Sequence, residues 1–247
     1  MLSKLEQQKH KNFYHLYQGD CCVILPTLPD NSVHCVITDP PYGINFDTNH
    51  RKEKPENIGS LKIDDFRIFH YLPKVMYELK RVLKSDSALY CFCRWDTADK
   101  FKKIIERGFK IKNMLVWVKN NWSMGDLYGS FASQYECCFY AVKGRPLLNN
   151  RRDTDVLNFN RKSNSKLLHS SEKPEELISF LMQKSTSEFD TILDPFLGSG
   201  TTIKVSQDLR RNCIGIELDS KYIAISKKRC LNRQFLDRQV DYRFSKQ

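Results

Sequence analysis

The sequence predicts an α/β fold: a doubly wound, mixed sheet with helices on both faces. Three observations predict it. Short apolar runs alternate with stretches of helical periodicity along most of the chain, the order that builds parallel sheets. Two strand-like runs, 109–118 and 134–142, follow one another with no helix between them, which calls for an antiparallel pair. Turn sequences rich in proline or glycine follow directly on two of the apolar runs, at the strand ends where such sheets bind ligands.

The elements follow in order. Val33-His34-Cys35-Val36-Ile37 reads as a short buried strand. Phe66, Phe69, Leu72, Met76, Leu79 and Leu83 recur at steps of three and four, predicting a helix over 65–84 that is kinked or starts late at Pro73. Ala88 to Cys93 is the next strand. Asp96 is placed to cap a helix that runs to Arg107 and stops at Gly108. After the paired strands, Pro174 suits the first position of a helix through 184. A strand at 191–193, a helix at 200–209, a strand at 213–216 and a final helix at 220–238 complete the pattern. The polar segments 44–64 and 143–173 are longer than ordinary connections and are expected to be functional or mobile.

The 247 residues are 40% hydrophobic and 28% charged, which excludes disorder throughout, collagen and low-complexity readings. The length suits one domain with a real core. No apolar run approaches the ~20 residues that span a bilayer, and the start lacks a signal-peptide pattern. The expectation is therefore a soluble, cytoplasmic protein with no membrane partner. Nine cysteines, an odd number without a C-x-x-C, read as small core residues rather than as disulfides or a zinc ribbon. The six histidines form no ligand cluster, and no metal is expected. A net charge of +11 attracts polyanions, nucleic acid first among them, although such an excess can also serve solubility alone.

Two motifs carry chemistry. Asp39-Pro40-Pro41-Tyr42-Gly43 follows the first strand directly. Two prolines stiffen the turn and remove two N–H groups, leaving an acid and an aromatic beside under-committed carbonyls. That suits a flat ligand bearing an amino group; a plain rigid turn is the alternative. Asp194-Pro195-Phe196-Leu197-Gly198-Ser199-Gly200-Thr201-Thr202 lies between a strand and a helix. Its glycines admit a ligand to the backbone, and the helix start offers free N–H groups. Glu217 ends the next strand, where a carboxylate can take two ribose hydroxyls. The third glycine of a dinucleotide fingerprint is replaced by Ile203, and the loop opens with an acid. Both departures favour a nucleoside with a positively charged tail, which S-adenosylmethionine fits.

Together, DPPYG and DPFLGSGTT resemble the amino-methyltransferases that act on exocyclic nitrogens in DNA. The catalytic motif precedes the cofactor motif, the order of the beta class of N6-adenine enzymes. Gly19-Asp20, the segment His169-Ser170-Ser171-Glu172-Lys173-Pro174 and the run Tyr135 to Gly144 resemble further elements of that class. The resemblance implies a Rossmann-like class I methyltransferase fold forming one catalytic domain over 1–247, with 144–168 as a short target-recognition insert.

It also implies roles. Asp39 and the Pro40 carbonyl would accept hydrogen bonds from the target amino group, with Pro41 stiffening the elbow and Tyr42 stacking on a base flipped from the duplex. Asp194, Pro195, Phe196, Gly198, Ser199, Gly200 and Thr201 would surround the methionine and ribose of S-adenosylmethionine, Glu217 would take the ribose hydroxyls, and Asp20 the adenine edge. Lys173 would neutralise the methionine carboxylate, with a solvated lysine at a helix start as the alternative. His169 reads as structural. Asp at position 39 favours adenine N6 over cytosine N4. The absence of a Pro-Cys dipeptide removes the thiol nucleophile of cytosine-C5 enzymes.

The expected partner is double-stranded DNA, contacted by Arg145, Arg151, Arg152, Arg161 and Lys162. Six basic residues face two acidic ones within 144–168, and arginine can grip both phosphates and guanine edges. The segment 44–64 is expected to close over DNA, with a solvated loop as the alternative. Lys221, Lys227, Lys228, Arg229, Arg233 and Arg238 of the last helix read as a solvated face. A homodimer and a cognate restriction endonuclease are further partners the resemblance allows. Methylation of cytosine N4 or of RNA, and a non-catalytic binder with a retained cofactor pocket, are the alternative functions.

Overall fold

The structure, a computed structural model, describes residues 12–43, 67–122, 128–161, 172–231 and 241–246. The segment expected to close over DNA (44–64), Lys162, His169, Arg233 and Arg238 lie outside the described residues.

Nine strands form one sheet among the described residues. They are β1 (Phe13–Gln18), β2 (Val33–Thr38), β3 (Leu83–Cys93), β4 (Lys110–Val118), β5 (Tyr135–Lys143), β6 (Val156–Asn158), β7 (Thr191–Asp194), β8 (Asn212–Glu217) and β9 (Asp241–Lys246). The helices are α1 (Cys21–Ile24), α2 (Ile68–Val82), α3 (Ala98–Ile105), α4 (Glu175–Ser185), α5 (Thr201–Asp208) and α6 (Ser220–Leu231). The sheet order is β6-β4-β5-β3-β2-β7-β8-β1-β9. β5 alone runs against its neighbours, β3 and β4, so the expected antiparallel pair is present in an otherwise parallel sheet.

From β2 the chain crosses through α2 to β3 on one side, and from β7 through α5 to β8 on the other. The strand order therefore reverses between β2 and β7, which are paired in parallel at Cys35↔Ile192 and Val36↔Leu193. A crevice at the carboxyl ends is the consequence of such a reversal.

Two apolar clusters cover the faces. Ile68, Leu72, Val75, Met76, Leu79 and Val82 of α2 pack with Phe101 and Ile105 of α3 over one face. Leu177, Leu181 and Met182 of α4 pack with Ile203 and Val205 of α5 over the other. β7 is buried at every position, as a central parallel strand must be. Eight of the nine cysteines are buried and free, and Cys22 is partly buried. No described helix is long and apolar enough to cross a membrane.

Several expectations need correction. Pro73 lies inside α2, which begins at Ile68. Asp96 does not cap α3; Thr97 holds that position without a side-chain bond, and the Asp96 carboxylate pairs with Arg94 at 2.8 Å. α6 is described to Leu231, and the rest of the helix expected to 238 lies outside the described residues; a strand at 241–246 had not been expected. β1, α1 and the three-residue β6 had no counterpart in the sequence reading. Arg229 is not on a solvated face. Its guanidinium is buried and holds Glu172 and Glu175, each at 2.7 Å, so that α6 is pinned to the start of α4.

Candidate active site

The elbow Asp39-Pro40-Pro41-Tyr42 leaves the carboxyl end of β2, and the loop Pro195 to Gly200 leaves that of β7. Parallel pairing of these strands puts both motifs at one edge of the sheet. Glu217, ending β8, and Asp20, just beyond β1, join them: β8 pairs with β7, and β1 with β8, with the Gly19 N–H donating to the Glu217 carbonyl at 3.0 Å.

The glycine loop is tied by side chains. Asp194 is buried; one of its oxygens accepts from the Phe196 N–H at 3.1 Å and the other from the Thr202 hydroxyl at 2.7 Å. Burial pushes its carboxyl up to about 7, against those two bonds, which favour the charged form. Glu217 accepts from the Gly198 N–H and the Asp219 N–H, both at 2.8 Å, and burial raises its carboxyl despite these bonds. A carboxylate held this way keeps lone pairs for further donors. Gly198 and Gly200 are left-handed, with φ of 55° and 84°. A Cβ at Gly200 would lie 2.7 Å from the Ser226 hydroxyl, so that glycine lets the loop lie against α6. A Cβ at Gly198 would meet none of the described residues within 4 Å, so that among them this glycine faces open space. Ser199 and Thr201 are buried, and Arg229 bonds to both. Asp20 is exposed and caps α1 through the Cys22 N–H at 2.8 Å. Asp20, Cys21 and Cys22 have ligand-type atoms within 4.8 Å of one another.

The elbow carries a charge cluster. The Tyr42 hydroxyl donates to Asp39 Oδ1 at 2.5 Å, and Lys173 Nζ donates to Asp39 Oδ2 at 2.5 Å. Lys173 also lies 3.0 Å from Glu136 Oε2, 3.0 Å from the Tyr42 hydroxyl and 5.0 Å from the centroid of the Phe92 ring. Glu136 in turn holds Lys119 at 2.6 Å. Lys173 is buried at the start of α4, with only 7% of its side chain exposed. Burial opposes its charge, yet Asp39 and Glu136 outweigh burial and raise the ammonium above its usual range. Burial likewise opposes ionisation of Glu136, but Lys173 and then Lys119 hold its carboxyl down at about 2. Burial, reinforced by Asp39, lifts the Tyr42 phenol well above its usual range.

The structure thus brings Asp39, Pro40, Pro41, Tyr42, Lys173, Asp194, Pro195, Phe196, Gly198, Ser199, Gly200, Thr201, Glu217 and Asp20 to one edge. Lys173 is not the solvated lysine of the alternative reading: its ammonium is buried and pairs with Asp39 and Glu136. The basic residues divide. Arg161 lies at the same edge, its N–H bonded to Asn120 just beyond the carboxyl end of β4. Arg145 lies at the opposite edge, because β5 runs downward and ends there; its N–H donates to Asp86 at 2.6 Å. The Arg151 carbonyl accepts from Lys184 near the C-terminal end of α4, and Arg152 follows it, exposed.

Glu136 is the site residue that sequence reasoning missed. The signal was available: it is the one acid within the apolar run 135–142, in step with Cys138 and Tyr140, which face the core.

The chain matches the family described as DNA methylase over residues 33–228, a family whose name joins N6 and N4 enzymes. Among curated relatives, "Putative methylase YubD" of Escherichia coli K12 is 32% identical over 213 residues, covering 86% of this chain and 88% of its own. Among solved structures, the PvuII DNA methyltransferase, titled cytosine-N4-specific, superposes with a TM-score of 0.71 at 18% identity, covering 91% of this chain and 90% of that one. M1.HpyAVI, solved in complex with S-adenosylmethionine, does so with a TM-score of 0.66 at 24% identity, covering 88% and 99%. With its elbow and its glycine loop on neighbouring strand tips, and with the family match spanning most of its length, this chain belongs to the DNA methylase family.

Proposed function

We propose that the protein methylates the exocyclic N6 of adenine in double-stranded DNA, using S-adenosylmethionine. The observation that carries the reading is the pairing of β2 with β7, which sets an acid-and-aromatic elbow beside a glycine loop with a ribose-competent carboxylate. The residues fit the cofactor: Gly198 faces open space in a left-handed turn, and Glu217 is fixed beside it. Glu217 would hold the ribose hydroxyls, the Phe196–Gly200 backbone the methionine end, and Asp20 the adenine edge. Bound there, S-adenosylmethionine supplies an electrophilic methyl group.

The chain's own residues handle the base. Adenine N6 is a weak nucleophile because its lone pair is delocalised into the ring. Asp39 and the Pro40 carbonyl accept its hydrogens and favour a pyramidal nitrogen, stabilising the positive charge that develops there. Tyr42 offers a ring face to the extruded base, and stacking of ~1–3 kcal/mol offsets much of the few kcal/mol that flipping costs. The whole chain acts as one catalytic domain, and the 144–168 insert reaches DNA through Arg161, at the catalytic edge, and through Lys162. Arg145, Arg151 and Arg152 would reach only DNA that wraps around the edge of the sheet, or DNA held by a second copy of the chain.

A second reading, cytosine N4, is favoured by the likeness to the PvuII enzyme. Incubation with methyl-labelled S-adenosylmethionine and duplex DNA, single strands or RNA, followed by nucleoside analysis, separates the readings. Label in N6-methyladenine from duplex DNA is expected. Label only in N4-methylcytosine, or only in RNA, would overturn the proposal.

A further inference from the structure

Asp39 is the proposed acceptor for the target amino group, yet both of its carboxylate oxygens are engaged, one by Tyr42 and one by Lys173. An arriving amino group must displace at least one of these donors or share an oxygen with it. Lys173 is the donor that can be displaced without stranding its charge. Its ammonium already touches Glu136 at 3.0 Å, and the Phe92 and Tyr42 rings lie 5.0 and 5.6 Å away. Glu136 is fixed in turn by β5 and by Lys119 at 2.6 Å, so it does not travel with the lysine. A cation this deeply buried could not let go of Asp39 unless a second anion kept hold of it, because an unpaired buried charge costs several kcal/mol.

We propose that Glu136 is a positioning residue of the active site: it anchors Lys173, so that the ammonium orients Asp39 before the base arrives and then rests on Glu136 while Asp39 takes the target amino group. Lys173 is then a movable cation with two seats, and Glu136 is the seat that stays. This deepens the methylation reading above and rests on it.

The test is a set of variants of the full chain: Glu136→Gln, Lys173→Met and the two combined. Glu136→Gln should leave the dissociation constant for S-adenosylmethionine unchanged and lower the single-turnover rate at saturating DNA by at least about tenfold, the usual cost of a misplaced catalytic group. Acting only through Lys173, Glu136 should matter no longer once the lysine is gone, so the double variant should turn over like Lys173→Met alone. If Glu136→Gln folds poorly, the double variant removes both charges of the pair, and its equality with Lys173→Met remains the criterion. A normal rate in Glu136→Gln, additive losses in the double variant, or a weakened cofactor constant with an intact rate would each overturn the proposal; the last would seat Lys173 at the methionine carboxylate.

Wild-type protein that methylates no nucleic acid overturns the functional reading instead.

Discussion

Asp39, Glu217 and Asp194 are three carboxylates at one edge of the sheet, and their surroundings give them different work. Asp39 meets a hydroxyl and an ammonium, groups that can be exchanged for those of a ligand. Asp39→Ala should therefore retain cofactor binding while turnover falls by at least ~100-fold, the scale of losing one preorganised polar partner of a reacting atom. Calorimetric titration with S-adenosylmethionine beside a methyl-transfer assay checks this, and near-normal turnover would remove Asp39 from the chemistry. Glu217 is bonded to the loop itself. Glu217→Ala should weaken cofactor binding several-fold or more in the same titration. Asp194 is buried, with its carboxyl near pH 7 in the folded chain against ~3.9 in the unfolded one. Between these values the folded protein holds a proton that the unfolded chain has lost. This group's contribution to stability is therefore full below about pH 4 and declines as pH rises through 7. Urea denaturation at several pH values should show that slope flattened in Asp194→Asn.

The two loop glycines make opposite demands, and this belongs to the scale of the element. Gly200 lets the loop lie on α6, so Gly200→Ala should destabilise the fold by about 1–3 kcal/mol through left-handed strain and the contact with Ser226. Gly198 faces open space, so Gly198→Ala should cost only the left-handed strain, about 1–2 kcal/mol, while its methyl blocks the cofactor's approach. Thermal melting paired with cofactor titration separates the two effects. Arg229 ties α6 to the start of α4 through Glu172 and Glu175. Arg229→Met should cost about 3–5 kcal/mol, because it takes the guanidinium from the buried Glu172 carboxylate. These elements were unequally legible in the sequence. The strands at 33–38 and 191–194 announce themselves by short, mostly apolar runs that end in special turns. β1 hides because Phe13 to Gln18 mixes polar and aromatic residues, with only Tyr14 and Leu16 buried. β6 is three residues long and has only Leu157 buried, below what periodicity can resolve. The Asp39–Lys173–Glu136 cluster joins residues from three distant stretches, and no local spacing encodes it.

At the scale of the molecule, the sheet has two edges with different tasks. The carboxyl edge gathers both motifs; the amino edge carries Arg145 on the turn after β5. Charge counting along 144–168 could not tell these edges apart, because the chain returns from one to the other within that segment: Arg145 and Arg161 are 16 residues apart in sequence but at opposite ends of the sheet. DNA lying across the carboxyl edge releases counterions only where the protein meets phosphate. Arg161→Ala should therefore flatten the log–log dependence of DNA affinity on salt by ~0.9, and Arg145→Ala should leave it unchanged. The most direct measurement is a structure of the protein bound to duplex DNA and a non-reactive analogue of S-adenosylmethionine. The account predicts an adenine turned out of the helix, its amino nitrogen ~3 Å from Asp39 and from the Pro40 carbonyl, and its ring on Tyr42. The analogue's ribose should lie on Glu217. A base still stacked in the duplex, or an analogue seated away from Gly198, would contradict the account.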